Sequence, residues 1–480
     1  MRAAIAMVSV AAAALFGSVP ARAASTDAAP AELYSYLVLT PSVGTAQTVL
    51  AESAVRRAGG VVVYAYGPVG VVVAHGGPGF AAAVRGRPGV ARVGATRTVP
   101  LRGRARGRAP ERVGAAGLPA VGSGGAVADP AEAAQWNLAM VHAYEAQRIT
   151  EGSADVVVAV ADAGVDDRHP DLAPNFAAEL SADCSTGRPI RADAAWRAPR
   201  SDHGTHVAGT IAAARDGHGV LGVAPGVRIA ALRLGDADAL FHGEASVCGF
   251  VWLAEHADQG LRIANHSYYN DPWWLLCPDD EDQAVIHEAV RRAAAYAADR
   301  GVLSIAAAGN DAYDLAHKTV DPRSPNDAAT RPARPRPVND ECRQLPAELP
   351  GVITVAAVGA NGLRAGYSNT GLGVLDLAGP GGDGAAGGEG VLSTSGDGGW
   401  ARKQGTSMAA PAVTGVAALI ASMHPTWGPA AITARLYATA GRPECVAPCV
   451  PAGDVDSFHG HGLVNALRAV RSSSGPAGRG

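Results

Sequence analysis

The stretch GTSMAAPAVTGVAALI, residues 405–420, carries the strongest structural signal in this chain. Small residues flank Ser407 on both sides and would let a substrate carbonyl approach its hydroxyl. The apolar run at 409–420 predicts a buried helix that begins at the serine. A helix N-terminus offers free N–H groups and a partial positive charge, which favour the anion formed when an acyl carbon is attacked. The stretch therefore predicts a serine nucleophile.

Two upstream motifs supply the groups that such a serine needs. The segment HGTHVAG, residues 203–209, places His203 at the start of a helical run of small residues. The segment VVVAV, residues 156–160, predicts a β-strand that delivers Asp162 at its carboxyl end. A serine hydroxyl is unreactive alone and requires a base, which in turn requires an orienting acid. We therefore predict that His203 accepts the proton of Ser407 and that Asp162 holds the imidazole.

The chain order Asp162, His203, Ser407 resembles that of the subtilisin-like serine proteases, the subtilases. The resemblance covers about residues 135–470 and includes the motifs AAAGN at 306–310, GVAP at 222–225 and GHGLVN at 460–465. It implies a serine endopeptidase that hydrolyses polypeptides and needs no cofactor for catalysis. It also implies that Asn310 donates a hydrogen bond to the oxyanion, and that His206 is a structural histidine.

Apolar strands alternate with helical runs from residue 135 onward, which predicts an α/β domain with a mostly parallel sheet and helices on both faces. The predicted strands are 156–160, 229–234, 261–265, 303–308 and 352–358, and the predicted helices are 207–213, 245–259 and 284–299. Ligands bind beyond the carboxyl ends of such strands. This edge is where Asp162 and Asn310 are expected.

A small α+β segment at residues 32–101 precedes this domain. A strand at 34–39, a helix at 44–57, a hairpin at 60–75, a helix at 79–87 and a strand at 90–100 give the order β-α-β-β-α-β. In a subtilase this order resembles the inhibitor-type prosegment, which assists folding and then blocks the cleft. The alternative is an unrelated accessory domain. The arginine-rich segment at 102–134 would be the linker cut on maturation, so the protein would be made as a zymogen.

The N-terminal segment predicts an exported protein, and the net charge limits its partners. Arg2 and the apolar run that follows it predict a signal peptide at 1–23, and 471–480 predicts a flexible tail. No later stretch reaches about 18 uninterrupted apolar residues, so we expect no membrane anchor. The net charge of −4 argues against nucleic acid as a partner. We expect a secreted monomer whose partners are its substrates and its own prodomain.

The composition also indicates the source of the chain. Only two of its 40 basic residues are lysines, which suggests a GC-rich bacterial genome.

All the cysteines lie within residues 135–470. They are Cys184, Cys248, Cys277, Cys342, Cys445 and Cys449. Six cysteines permit fifteen pairings, and an exported protein favours structural disulfides over thiol or metal chemistry. We expect Cys445 to pair with Cys449 across a short loop and Cys277 with Cys342 at the base of an insertion. This would leave Cys184 with Cys248.

The strand at 261–269 departs from the family pattern at the primary specificity pocket. Ser267 would begin the backbone that pairs with an extended substrate. Tyr268 and Tyr269 replace the small residues that keep one pocket wall open, and their rings would either narrow the pocket or point away. Trp273 and Trp274 could form a rim or pack internally, and an insertion at 311–344 is expected beside the cleft. Two alternatives stay open: a narrow-specificity processing protease and a weakly active pseudo-protease that binds peptides.

The resemblance also implies a structural calcium site. Gln135, Asp171 and Asp216 occupy positions where family members supply side-chain oxygens, and carbonyl groups of the loop 214–220 would complete the ligand set. Hard oxygen ligands around a loop suit calcium. Arg215 and His218 within this loop argue against it.

Overall fold

The computed structural model describes residues 32–101, 129–328, 333–384 and 388–471. The predicted signal peptide, the linker up to residue 128 and the tail after residue 471 lie outside the described residues. The described part comprises a small N-terminal domain, residues 32–101, and a large α/β domain that begins at residue 129. The predicted fold class is therefore confirmed for both.

The N-terminal domain has the predicted β-α-β-β-α-β order. Its elements are β1 Tyr34–Leu39, α1 Thr45–Arg57, β2 Val61–Tyr66, β3 Val71–Gly76, α2 Phe80–Val84 and β4 Arg92–Ala95. The strands form one antiparallel sheet in the order β2-β3-β1-β4. Successive side chains of a strand point to opposite faces. Accordingly, Tyr36 and Val38 pack on helices α1 and α2, whereas Leu37 and Leu39 point to the other face.

The described strands of the large domain form a central sheet and three two-stranded antiparallel sheets. They are β5 Val157–Asp162, β6 Ala182–Asp183, β7 Arg228–Arg233, β8 Leu261–His266, β9 Leu303–Ala307, β10 Val320–Asp321, β11 Arg336–Pro337, β12 Val352–Val358, β13 Leu377–Pro380, β14 Val391–Thr394, β15 Trp400–Lys403, β16 Pro451–Ala452 and β17 Val455–Asp456. The central sheet has seven strands in the order β13-β12-β9-β8-β5-β7-β6, and all its pairings are parallel. The five predicted strands are all in it.

Helices cover both faces of this sheet. They are α3 Trp136–Met140, α4 Ala143–Gln147, α5 His203–Ala212, α6 Gly243–Glu255, α7 Glu281–Asp299, α8 Thr406–Met423, α9 Pro429–Thr439 and α10 Ala466–Val470. Helices α5 and α8 share one core with the sheet, and α6 and α7 pack on its other face. Helix α8 is the one described helix long and apolar enough to cross a membrane, and most of it is buried inside this core.

The two domains are joined through an apolar face of the N-terminal sheet. Leu37, Leu39, Val71 and Val73 belong to the same buried cluster as residues of helices α6 and α7. Burying one such side chain contributes about 1.5–3 kcal/mol. The free N-terminal domain would therefore expose a continuous apolar surface, which the large domain covers.

Three disulfides join the cysteines as predicted. They are Cys184–Cys248, Cys277–Cys342 and Cys445–Cys449. The first ties β6 to helix α6, and the second closes the base of the insertion at 311–344. The third closes the short loop that sequence spacing indicated.

Candidate active site

Three predicted catalytic side chains lie in one cavity at the carboxyl edge of the sheet. Asp162 is the last residue of β5, His203 is the first residue of helix α5, and Ser407 is the second residue of helix α8. All three line a cavity of about 340 Å³ that Asn310 also lines. Residues far apart in sequence are brought together because parallel strands end at the same edge.

The carboxylate of Asp162 holds the ring of His203. Asp162 is fully buried, and both its oxygens lie 2.9 Å from Nδ1 of His203. The backbone N–H of Ala163 also donates to Oδ1 of Asp162, at 2.6 Å. Burial lowers the pKa of His203, but the charge of Asp162 and its hydrogen bond outweigh burial, so the pKa is raised. With its Nδ1 proton donated to Asp162, the ring presents Nε2 as the proton acceptor.

The hydroxyl of Ser407 points differently from the sequence-based expectation. Its Oγ donates to the backbone carbonyl of Ser267 at 3.5 Å, and among the described residues it makes no hydrogen bond to His203. The Oγ of a serine moves by rotation about a single side-chain bond. Catalytic hydrogen bonds are often long without substrate and shorten in the reacting complex.

A proline inside the helix explains how the backbone of Ser407 is fixed. Pro411 has no N–H, so the carbonyl four residues earlier, that of Ser407, has no partner from that residue. The Oγ of Ser267 donates to this carbonyl at 3.1 Å. Ser267 in turn accepts from Asn265 at 2.9 Å, and Asn265 accepts from Thr414 at 2.9 Å. A chain of buried hydrogen bonds thus joins β8 to helix α8 beside the serine.

Asn310 is oriented by the residue before the serine. Its Oδ1 accepts from the backbone N–H of Thr406 at 2.8 Å and from the hydroxyl of Thr406 at 2.9 Å. The amide Nδ2 is therefore left to donate elsewhere. Gly405 lies next to this amide with φ at 149°, and a Cβ at that position would contact Nδ2 at 3.4 Å. The N–H of Ser407, in the first helical turn, has no partner within the helix.

The substrate-binding residues predicted from sequence all line the cavity, and both tyrosine rings are held in place. The ring of Tyr268 stacks on Phe241 with centroids 4.8 Å apart, and its hydroxyl lies 3.2 Å from Oγ of Ser246. The hydroxyl of Tyr269 accepts from Asn326 at 3.1 Å. Asn326 belongs to the insertion at 311–344, which lies beside the cleft as predicted.

Sequence reasoning did not single out several cavity residues, among them the polar side chains Asp271, Arg323 and Asn326. Asp271 is buried, and its carboxylate accepts from Nδ2 of Asn326 and from the N–H of Phe241, each at 2.6 Å. Burial raises the pKa of Asp271 to about 6. Arg323 and Asn326 line the same cavity from the insertion. Of these residues, only Asp271 offered a signal in the sequence, because it is an acidic residue two positions after Tyr269.

Neither tryptophan of the aromatic pair lines the cavity. Trp273 is half-buried, with the guanidinium of Arg336 5.1 Å from the centre of its ring. Trp274 is fully buried, and its indole N–H donates to Gln344 at 3.0 Å, so it does not form a rim. His206 is fully buried against the carbonyl groups of Val391 and Ala401, and burial lowers its pKa to about 3. A neutral, enclosed histidine is a structural one.

The three predicted calcium ligands surround one loop. Gln135 exchanges two hydrogen bonds with the backbone of Leu221, at 2.8 and 2.9 Å. Oδ2 of Asp171 accepts from Val220 at 2.9 Å, whereas Oδ1 is buried and has no hydrogen-bond partner among the described residues. Asp216 accepts from the N–H of His218 at 3.0 Å.

Arg215 does not fill this space. Its guanidinium turns to Glu132 and Glu151, at 2.7 and 2.6 Å. A buried carboxylate oxygen without a partner is costly unless a cation or a donor satisfies it. The side-chain oxygens of Gln135, Asp171 and Asp216 are of the type that calcium binds, and the unpartnered Oδ1 of Asp171 fits such an ion.

Known proteins share sequence similarity with the part of the chain that contains these features. The model of the "Subtilase family" matches residues 153–466. Subtilisin E of Bacillus subtilis is 32% identical over 286 residues, which are 60% of this chain and 60% of that protein. Fervidolysin of Fervidobacterium pennivorans is 33% identical over 307 residues, which are 37% of its length. Subtilisin BL of Lederbergia lenta is 30% identical over 341 residues, which are 71% of this chain and all of that protein.

A solved structure extends the likeness to the N-terminal domain. The epidermin leader peptide processing serine protease of Staphylococcus aureus has a TM-score of 0.68 and 21% identity, and the match covers 93% of this chain and all of that one. At this identity the likeness concerns the fold alone.

An α/β fold with aspartate, histidine and serine in one cavity at the carboxyl edge of its sheet is the arrangement of the serine-protease class. The chain belongs to the subtilase family, whose model matches most of its length.

Proposed function

We propose that this protein is a serine endopeptidase that cleaves polypeptides by means of Ser407, His203 and Asp162. One observation carries the proposal: the buried carboxylate of Asp162 holds His203 in the cavity that Ser407 and Asn310 also line. Family membership supports the same activity.

The proposed reaction begins with rotation of the Ser407 hydroxyl toward Nε2 of His203. His203 accepts the proton as Oγ attacks the peptide carbonyl, and Asp162 stabilises the resulting imidazolium. Nδ2 of Asn310 and the N–H of Ser407 donate to the oxyanion of the tetrahedral intermediate. His203 then returns the proton to the leaving amine, and water hydrolyses the acyl-enzyme in the reverse sequence. Ser267 holds the carbonyl of Ser407, so the backbone at this residue is fixed before the reaction. The N–H of Ser407 can then donate to the oxyanion with little rearrangement.

The N-terminal domain supports production as a secreted zymogen. Its apolar face covers helices α6 and α7, and α6 begins at Gly243, just after the cavity residues Leu240 and Phe241. Removal of this domain by cleavage in the segment 102–134 would open the cleft and yield the mature enzyme. The domain would therefore act as an intramolecular inhibitor. After its removal, polypeptide substrates would occupy the cleft.

A narrow-specificity processing protease is a second form of this function. The hydrogen bond between Asn326 and Tyr269 closes the insertion onto the pocket wall. Such a wall would admit fewer side chains than an open pocket.

One experiment tests the activity and the maturation together. The secreted protein is incubated with a peptide library, with and without a fluorophosphonate, and all products are mapped by mass spectrometry. We expect peptide cleavage, modification of Ser407 in parallel with loss of activity, and an active species that lacks residues 32–101. Activity without modification of Ser407 would contradict the mechanism, and full-length active enzyme would contradict the zymogen.

We further propose that Gln135, Asp171 and Asp216 hold a structural calcium ion together with the loop 214–220. The ion would supply charge to the unpartnered Oδ1 of Asp171 and fix the loop to the segment around Gln135. It would have no part in the bond-making steps.

Removal of calcium is expected to lower the melting temperature. An ion present at 100 times its Kd stabilises the folded state by about 2.7 kcal/mol, which corresponds to a shift of several degrees in a domain of this size. The measurement is thermal unfolding of the mature enzyme with calcium or with excess chelator. Asp216→Ala should reduce the difference, while Asp454→Ala, at an exposed position, should preserve it. An equal melting temperature with and without chelator would exclude the site.

A further inference from the structure

An arginine of the N-terminal domain is bound by carboxylates of the large domain. The guanidinium of Arg97 donates to Oε1 of Glu244 from Nε at 3.3 Å and from Nη2 at 3.1 Å. Its Nη1 donates to Oδ2 of Asp236 at 3.4 Å. The side chains of Arg97 and Glu244 are only 14% and 2% exposed. The planar guanidinium thus places two donors on one oxygen of Glu244 and a third donor on Asp236, a use of several donors that an ammonium on a single stem does not match.

This arginine site adjoins the end of the candidate active-site cavity. The second oxygen of Asp236 accepts from the N–H of Leu240 at 3.1 Å, and Leu240 lines the cavity together with Ser407. In the insertion, Asp327 accepts from the backbone N–H of Thr98 at 2.7 Å. Its neighbour Asn326 lines the same cavity. Arg97 and Thr98 thus contact two segments that also line the cavity, one through Asp236 and one through Asp327.

Departure of the N-terminal domain would leave the arginine site incomplete. Oε2 of Glu244 is buried and has no hydrogen-bond partner among the described residues. Burial raises the pKa of Glu244, but the charges of Arg97 and His242 outweigh it and lower the pKa to about 2. Arg97 covers this carboxylate, so departure of the N-terminal domain would open Glu244 to water and leave a negative charge that attracts another cation. Nε2 of His242, itself buried, lies 3.3 Å from Oδ2 of Asp236.

We infer that in the mature enzyme Glu244 and Asp236 bind an arginine side chain of the polypeptide substrate, at the position that Arg97 occupies in the full chain. This inference rests on the proposed function and names the substrate class for it: peptides that carry arginine within a few residues of the cleaved bond. An extended peptide advances about 3.3 Å per residue. A few residues of substrate would therefore span the part of the cleft between the arginine site and the cleaved bond.

The test uses the mature enzyme and one quenched fluorescent peptide that it cleaves. Arginine is placed at each position in turn, and the matched peptide carries citrulline, which keeps the shape and removes the charge. At one position on one side of the cleaved bond we expect kcat/KM to be about ten- to a hundredfold higher for arginine, the range that one charge-assisted pair supplies. Glu244→Gln should bring this ratio close to one, and Asp236→Asn should reduce it.

The controls separate the two proposals. Asp238→Asn, on the same loop but 62% exposed in its side chain, should retain the wild-type ratio. Because each ratio compares two peptides on the same enzyme, it does not depend on how much of a variant matures. A wild-type ratio near one at every position would overturn the arginine site while leaving the endopeptidase in place. If the parent peptide is not cleaved and Ser407 resists fluorophosphonate, the proposed function fails and the inference fails with it.

Discussion

Replacement of Ser407 by alanine should abolish peptide hydrolysis. Alanine removes the attacking oxygen but keeps the small side chain at the start of helix α8, so substrate binding and the fold should persist. In Ser-His-Asp proteases the loss of the nucleophile costs about 10⁶ in turnover. We expect a loss of that order, measured as cleavage of a fluorogenic peptide after maturation is supplied by an added active protease. Labelling by a fluorophosphonate should also disappear.

A serine on the same helix provides the matched control. Ser422 lies near the end of helix α8, and its hydroxyl donates to the carbonyl of Ala418 at 2.7 Å. Ser422→Ala should retain both cleavage and labelling. Substantial cleavage by Ser407→Ala, beyond a trace explained by the added protease, would contradict the assignment of the nucleophile.

The sequence predicts the frame of the site because the frame depends on local patterns. Apolar runs of β-branched residues predicted the strand before Asp162, and small residues predicted the helix at Ser407. A parallel sheet then necessarily brings these ends to one edge. The cysteine pairings were also predictable, since a short loop and an insertion base limit the choices.

The contents of the cleft were less predictable, because they depend on contacts distant in sequence. Arg323 and Asn326 come from an insertion without apolar periodicity. The contact between Arg97 and Glu244 joins residues 147 positions apart, and no motif marks either residue. The hydroxyl direction of Ser407 is likewise a single torsion that no pattern encodes. The proposed specificity would therefore depend on residues that pattern analysis detects least.

The rings of Tyr268 and Tyr269 illustrate how a loop determines a pocket wall. From sequence, each ring could narrow the pocket or point away. Phe241 fixes the first ring by stacking, and Asn326 fixes the second through its hydroxyl. The strand predicted at 261–269 ends at His266, so both tyrosines lie in the segment after β8, and both partners come from other segments. The sequence around the tyrosines alone therefore left the question open.

Replacement of Asp162 by asparagine should lower turnover by about 10⁴ while leaving KM nearly unchanged. Asparagine can present its N–H₂ group to Nδ1 of His203, which would force the ring proton onto Nε2. Nε2 could then no longer accept the proton of Ser407. The measurement is kcat and KM of the mature variant, with Asp454→Asn, at an exposed position, as the control that should match the wild type.

The pH profile distinguishes this role from a merely structural one. Asp162 raises the pKa of His203 against the lowering effect of burial, and His203 must be neutral to act as a base. Activity of the wild type should therefore rise with pH through a His203 pKa above its ordinary value of about 6.5. Removal of the charge lowers that pKa, so the acid limb of kcat/KM in Asp162→Asn should move to lower pH. An acid limb that stays in place would show that the Asp162 carboxylate does not control the titration of His203.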